Sequence, residues 1–438
     1  MKKLLIIEVW RVTLSIISKT RRSRMDKDIT NSTFKKVLER FPFESFCAII
    51  NENGTDKYIK KLFATKLFYI MFIAQINQVE SLRALSAKVS NDINLQNAIA
   101  LESISAAQIS RRLKNISSDF WAAVFTNVAQ LVTMKTTGNN QLPKGDRINI
   151  IDASTIILCL NSYLWADFRK TKAGVKIHQR VVYQDGVTFP DKAVLTTARK
   201  SDKSQLDELL VTDEGALNVF DRGYVDYGKW DEYSEAGIRF VTRSKSNYII
   251  SIVEEKQIPG NGDMSESVVL LGDPKRTIMR HRLRLIHIKD SVGKQVDILT
   301  NDFSLSAFEI TEIYRRRWKI ELFFKWIKQH LKVKILYGKS ANAVYSQIWL
   351  ALITFCVLLL TKIGLKTKKT LFDIKRILTD TMFEPLATFL SALRRQSSKL
   401  SKGRQCTDHN KEYEQLLRQV ELESSDFLDV NDVDLYYA

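Results

Sequence analysis

Apolar residues recur at three-and-four spacing from about Asn31 to Val132, the period of helices, with breaks at Pro42, Asn53-Gly54 and Asn91. Within this stretch SLRALSAKVS (81–90) and SAAQISRRLKN (105–115) each begin at a serine suited to cap a short helix. The second helix is expected to set Gln108, Arg111, Arg112 and Lys114 on its exposed side, as a helix-turn-helix or a pair of amphipathic bundle helices would. After Pro143 the period shortens to two. INIID (148–152), STIILCL (154–160), VKIHQRVVY (175–183) and KAVLTTA (192–198) read as hairpin strands, with a turn at Asp185-Gly186. A helix over Ser204 to Leu210, the strand ALNVF (216–220), a helix around Tyr227 to Ala236 and the strand IRFVTR (238–243) follow. A second β-rich stretch occupies 249–300, a long helix about Phe308 to Leu331, and an apolar helix Ile348 to Leu360 precedes further basic helices.

Consecutive strands followed by strand-helix-strand is the order of an RNase H-like α/β core, here with a β-rich insertion and helical regions on both flanks. Length supports this division, since 438 residues allow two or three domains. The expected units are a basic extension over 1–24, a helical N-terminal domain over 25–140 and a catalytic domain over 145–365. A basic helical region over 366–406 and an acidic tail over 407–438 complete the chain. Gly (16) and Pro (6) are too few for a collagen-like or linker-rich chain.

Charge narrows the function. The chain carries +18 overall, with +6 in residues 1–24 and −7 in 407–438, which leaves +19 on the body. Such a body points to a polyanionic partner, nucleic acid first and a membrane surface second. Cys47, Cys159, Cys356 and Cys406 have no CxxC spacing and the five histidines are scattered, so neither a disulfide framework nor a zinc site is expected. The stretch Leu4 to Ile17 resembles a signal core, but Glu8 and Arg11 interrupt it and export is not expected; Met25 offers a second start. The 13 apolar residues from Ile348 fall short of the roughly 20 of a membrane span, so a buried core helix is expected there.

Candidate chemistry begins with two aspartates at expected strand ends, Asp152 after INII and Asp221 after LNVF. On YRRRWKIELFFKWIK (314–328), about 100° per residue gathers Tyr314, Arg317, Glu321, Lys325 and Lys328 within an arc of about 80°. Leu322, Phe323, Ile320, Trp326 and Ile327 spread over the opposite, apolar face. One acid among cations reads either as a salt-bridged surface helix or as a site for a charged substrate.

Tyr314-x2-Arg317-x3-Glu321-x6-Lys328 resembles, position for position, the Y-R-E-K signature of the DDE transposases of the insertion sequence 4 type. Asp152 in IIDAST and Asp221 in FDRGY are similar to that family's two catalytic aspartates, and Arg243, Lys245 and Asn247 in FVTRSKSN to another of its stretches. The resemblance covers about 145–365 and, more loosely, 31–110. It implies a transposase that binds terminal inverted repeats in double-stranded DNA, cleaves at the element's ends and joins 3′-hydroxyls to target DNA. Asp152, Asp221 and Glu321 would be catalytic residues and ligands of two Mg²⁺ ions, with Mn²⁺ able to substitute, because hard cations take oxygen donors. Arg317, Lys325 and Lys328 would hold phosphates, Tyr314 would hydrogen-bond them, Trp318 would offer a stacking face, and Arg243 and Lys245 would join the DNA surface. A homodimeric synaptic complex, a cytoplasmic and nucleoid-associated location, and no membrane complete the expectation.

In RTIMRHRLRLIHI (276–288) the strand period places Arg280, Arg282 and Arg284 on one face, as for an insertion that touches DNA or for a solvated basic strand. His178 fits a core histidine or an approach to the site from a neighbouring strand. A nuclease without strand transfer would share the three acids, and a non-catalytic DNA-binding relic would share the charge.

Overall fold

The computed structural model describes residues 32–137, 147–184, 186–244, 248–256, 264–273, 275, 277–289 and 295–395. The N-terminal part is helical: α1 (Thr33–Leu38), α2 (Phe43–Glu52), α3 (Ala64–Ile76), α4 (Leu82–Asn91), α5 (Ile93–Ile99), α6 (Ala106–Asn115) and α7 (Ser118–Thr137). Ser81 caps α4 by accepting from Ala84 N at 3.1 Å, and Ser105 forms a capping box with Gln108 on α6, so both serine signals mark real starts. Arg112 departs from expectation. It is buried, pairs with Asp56 and donates to Leu62 O at 3.0 Å and Thr55 O at 2.9 Å. Asp56 in turn accepts from Ala64 N at 2.8 Å, so the arginine ties the Thr55–Leu62 loop to the start of α3 instead of facing solvent.

The sheet strands are β1 (Ile148–Leu158), β2 (Asp167–Arg169), β3 (Lys172–Gln184), β4 (Val187–Thr197), β5 (Leu217–Phe220) and β6 (Arg239–Arg243). The insertion adds β7 (Ile250–Lys256), β8 (Met264–Asp273), β9 (Thr277–Ile278), β10 (Leu283–Lys289) and β11 (Gln295–Thr300). β4, β3 and β1 are antiparallel neighbours, and β1, β5 and β6 run parallel, so the core order β4-β3-β1-β5-β6 is that of an RNase H-like sheet. β11 pairs antiparallel with β6 and carries β10, β8 and β7 outward, extending the same sheet. The expected strands 148–152 and 154–160 are one strand, because β3 pairs with β1 without interruption from Ile148↔Tyr183 to Leu158↔Ala173.

Helix α8 (Leu206–Leu209) and helix α9 (Tyr227–Glu235) flank β5. The expected long helix is two, α10 (Ala307–Arg315) and α11 (Trp318–His330), with a turn at Arg316 and Arg317. The basic C-terminal region supplies α13 (Leu371–Thr381) and α14 (Leu386–Arg394).

Between them α12 (Ala341–Leu365) is far longer than its 13-residue apolar run, since the polar flanks continue the helix from the Ser340 cap to Lys366 at φ +48°. It is long and apolar enough to cross a bilayer by length and composition, yet 78% of its apolar window is buried inside the protein. α12 packs on α7, α3, α6 and β4, which joins the N-terminal helices and one face of the sheet in a single apolar core. The other face packs Ile151, Phe220, Trp230 and Phe240 under α9 with Leu283 and Leu285 of the insertion.

Within that insertion the expected basic face does not form as a face. Arg284 is buried, grips Glu266 through two bonds of 2.9 and 3.0 Å and donates to Asp302 O at 2.8 Å and Leu305 O at 2.6 Å. Both sides of β10 are covered here, so a strand-period reading that assumes one wet face fails. Arg280 and Arg282 remain exposed.

Candidate active site

Parallel pairing of β1 with β5 sets the first two acids side by side. Ile151 is the register partner of Phe220, and Asp152 and Asp221 are the next residues on the two strands. β5 is four buried residues, LNVF, and ends there because the chain turns through Arg222–Tyr224. Asp221 therefore does stand at a strand end, whereas Asp152 lies within a strand that continues past it along β3. The neighbour on one side has stopped while the strand itself goes on, which leaves the Asp152 carboxylate a gap to occupy.

Glu321 arrives from α11, which packs Ile320, Phe323, Phe324 and Ile327 inward and contacts β1. Arg317, at the α10–α11 turn, joins the two elements: its Nη1 donates to Glu321 Oε1 at 3.1 Å and to Asp152 Oδ2 at 3.3 Å. The side chains are well shielded, with 13% of Arg317, 16% of Asp152 and 29% of Glu321 exposed. Asp152 Oδ1 also accepts from Ala153 N at 2.7 Å.

The electrostatics are those of too many acids for one cation. Burial pushes the Asp152 carboxyl well above its usual range, Glu321 and Asp221 push the same way, and Arg317 and the Ala153 amide oppose them. Burial works against the charged Arg317 guanidinium, but Tyr314, Asp221, Asp152 and Glu321 outweigh it and hold its pKa well above the ordinary arginine value. Tyr314 is pushed up to about 12 by burial, with Arg317 and Arg243 pulling against that rise.

Thus Asp152, Asp221, Glu321, Arg317, Tyr314 and Arg243 form one electrostatic neighbourhood. Lys325 and Lys328 lie half-buried further along α11, and Trp318 half-buried at its start. Trp326 is packing, edge-on to Phe355 at 5.1 Å. Leu322 is 41% exposed, so the apolar face of α11 is narrower than its sequence implies. Lys245 and Asn247 lie outside the described residues.

Among the described residues no three His, Cys, Asp or Glu side chains are grouped closely enough to hold a metal ion together. The donor set nevertheless suits a hard divalent cation, being three carboxylates, one of them held above its usual pKa by burial and by the other two. Pattern reading missed Tyr224, a buried residue of the turn after Asp221 whose phenol pKa is raised by burial first and then by Asp152, Asp202 and Asp221. It raises no periodicity signal, and its place in Asp221-Arg222-Gly223-Tyr224 was the only cue.

Residues 143–357 match the transposase DDE domain family, and residues 30–98 match a domain of unknown function, DUF4372. The chain is 36% identical over 202 residues to a putative transposase, y4zB, of Sinorhizobium fredii, covering 44% of this chain and 55% of that one. It is 30% identical to a probable transposase for insertion sequence element IS5377 of Geobacillus stearothermophilus, covering 57% and 65%. A putative transposase for insertion sequence element IS4SA of a Synechocystis species is 26% identical, covering 53% and 66%. The matched segments therefore span 55% to 66% of those relatives' lengths.

Proposed function

We propose that through residues 143–357 the chain is a DDE transposase of the insertion sequence 4 type and that it moves an insertion sequence by DNA-mediated cut-and-paste transposition. It binds terminal inverted repeats in double-stranded DNA, cleaves phosphodiester bonds at the element's ends and transfers 3′-hydroxyls to target DNA, acting as a homodimer in the synaptic complex at the nucleoid. The helical domain over 25–140 contributes to DNA binding. The +19 body supports a polyanionic partner.

Enzymes of this family use divalent metal ions. In this reading Asp152, Asp221 and Glu321 would hold two Mg²⁺ ions, with Mn²⁺ able to substitute, and the chemistry supplied there would be activation of the attacking oxygen and relief of charge on the leaving one. Arg317 is the counter-charge that keeps Asp152 and Glu321 at one point of the fold. Lys325, Lys328, Arg243 and Lys245 supply charge to DNA phosphates, Tyr314 a phosphate hydrogen bond, and Trp318 a stacking surface.

The observation that carries this reading is the Arg317 bridge from a carboxylate on the sheet to a carboxylate on α11, beside the parallel strand end that bears Asp221. Asp152→Ala, Asp221→Ala and Glu321→Ala are each expected to lower Mg²⁺-dependent nicking of terminal-repeat DNA at least about a hundredfold, near 2.7 kcal/mol of barrier, while end binding in a gel shift persists. Near-normal nicking by one variant would remove that residue from the site. Nicking without joining to target DNA by the unaltered protein would make it a nuclease instead.

A further inference from the structure

Gln78 holds a backbone conformation that residues with a side chain rarely adopt. Its φ is +47°, and it closes α3: Val79 N donates back to Ala74 O at 3.0 Å and Gln78 N to Gln75 O at 3.4 Å, the helix ending in which glycine usually fills the left-handed position. A glutamine there is strained, and such strain persists where the surroundings require it. The side chain has a defined task. Gln78 Nε2 donates to Gln329 O at 3.0 Å, in the last turn of α11 and one residue past Lys328.

The same corner of the fold holds the chain that leaves α11. Residues Lys332 to Tyr337 form neither helix nor strand, so their peptide groups need partners from elsewhere. Two fully buried glutamines supply them. Gln75, in the last turn of α3, accepts from Lys332 N at 2.6 Å through Oε1. Gln347 of α12 donates to Lys332 O at 2.7 Å and Ile335 O at 2.9 Å, and it accepts from Tyr337 N at 2.8 Å. Lys332 Nζ donates back to Gln78 O at 3.3 Å, and the Tyr337 hydroxyl donates to Val79 O. The end of α3 and the exit of α11 are thus joined in both directions.

Helix α11 gains from such an anchor. Its buried side is narrow, with Leu322 41% exposed, so packing alone sets its rotation about the axis only loosely. Glu321 lies about 12 Å along that axis from Gln329, at about 1.5 Å per residue. We propose that Gln78, with Gln75 and Gln347 behind it, is a positioning residue for cleavage: these side chains set the rotation of α11 and with it the places of Glu321 and Lys328. The N-terminal helices are then part of the machinery that cuts DNA. This inference rests on the reading of Glu321 as a residue of the active site.

Gln78→Gly separates positioning from stability, because it removes the side chain and relieves the backbone at once. The full-length variant is expected to melt close to the unaltered protein and to bind terminal-repeat DNA equally well in a gel shift. Its rate of Mg²⁺-dependent nicking at saturating DNA should fall about tenfold, since misplacement by about 1 Å is enough to slow a reaction, while the half-saturating DNA concentration stays the same. A role in stability alone would leave that rate unchanged. Gln75→Leu should slow nicking in the same way, and Gln78→Gly keeps the test sound should Gln75→Leu fail to fold. Glu80→Gln, at an exposed position just past the same turn, should nick normally. Nicking by Gln78→Gly at the unaltered rate, with Glu321→Ala inactive, overturns the inference and leaves the reading of the three acids intact. Slower nicking accompanied by lost end binding would make Gln78 a DNA contact and overturn it too. Normal nicking by Glu321→Ala overturns that reading and this inference together.

Discussion

Asp152 is a strained charge in the free protein. Its carboxyl is buried among Glu321 and Asp221 with one guanidinium to share, and its pKa is held well above the ordinary aspartate value of 3.8. Asp152→Asn keeps the shape and the acceptor for Ala153 N while removing the repelled charge. The variant is expected to be about 1 kcal/mol more stable than the unaltered protein in chelator at neutral pH, by urea unfolding, while losing the nicking proposed for it. Arg317→Gln makes the opposite change. It leaves two shielded carboxylates without their cation and is expected to cost about 1–3 kcal/mol, where Lys328→Ala costs a few tenths. Equal, small losses in both would mean that Arg317 is an ordinary surface partner.

At the scale of elements, the β insertion is held together, and joined to the core sheet, by buried polar joints as well as by backbone pairing. Arg284 and Glu266 form one; Arg284→Ala is expected to cost about 3–5 kcal/mol because Glu266 is left charged and buried, and Arg284→Met with Glu266→Leu should recover most of it. Urea midpoints of the single and double variants decide this, and a double variant no better than the single would refute the pairing. A second joint is Asp302, which accepts from Ser304 N at 2.8 Å and Leu305 N at 3.0 Å and pairs with Arg239 of β6. Burial works to raise this carboxyl, but those partners outweigh it and hold its pKa below 3.8. A depressed folded-state pKa stabilises above the unfolded value and is lost as pH falls through the folded one. Stability is thus expected to fall in acid below about pH 4, and Asp302→Asn, already lacking the charge, should show a shallower decline on acid titration followed by circular dichroism.

For the whole molecule, α12 makes the N-terminal helices and the sheet one folding unit. The apolar core runs from Phe34 in α1 through Trp121 in α7 and Leu350 in α12 to Val175 in β3, with no polar layer separating helices from sheet. The expectation is a single cooperative unfolding transition. Trp121 lies in this core and Trp230 in the opposite layer, so variants retaining one of these two tryptophans should report the same urea midpoint by fluorescence. Leu350→Ala should lower both midpoints together, by about 2–5 kcal/mol. Separate midpoints would show that the two parts unfold independently.

The sequence by itself determined the helical and strand periods, the serine caps at Ser81 and Ser105, the succession of core strands along the chain and the positions of the three candidate acids, because each is written in local spacing or in a fixed motif. What it misassigned was charge and continuity. Arg112 and Arg284 read as solvent-facing, yet the fold brings Asp56 and Glu266 to them from 56 and 18 residues away. The long helix through the Y-R-E-K residues is broken at Arg316 and Arg317, where the guanidinium turns toward a carboxylate 165 residues distant. Tyr224 sits in a turn that carries no period, and only the end of β5 at Phe220 folds it back into the core beside that strand. Amphipathic spacing assigns a polar side chain to water by default. Whether it finds a partner in the interior depends on pairing between distant segments, and that the tertiary structure alone decides.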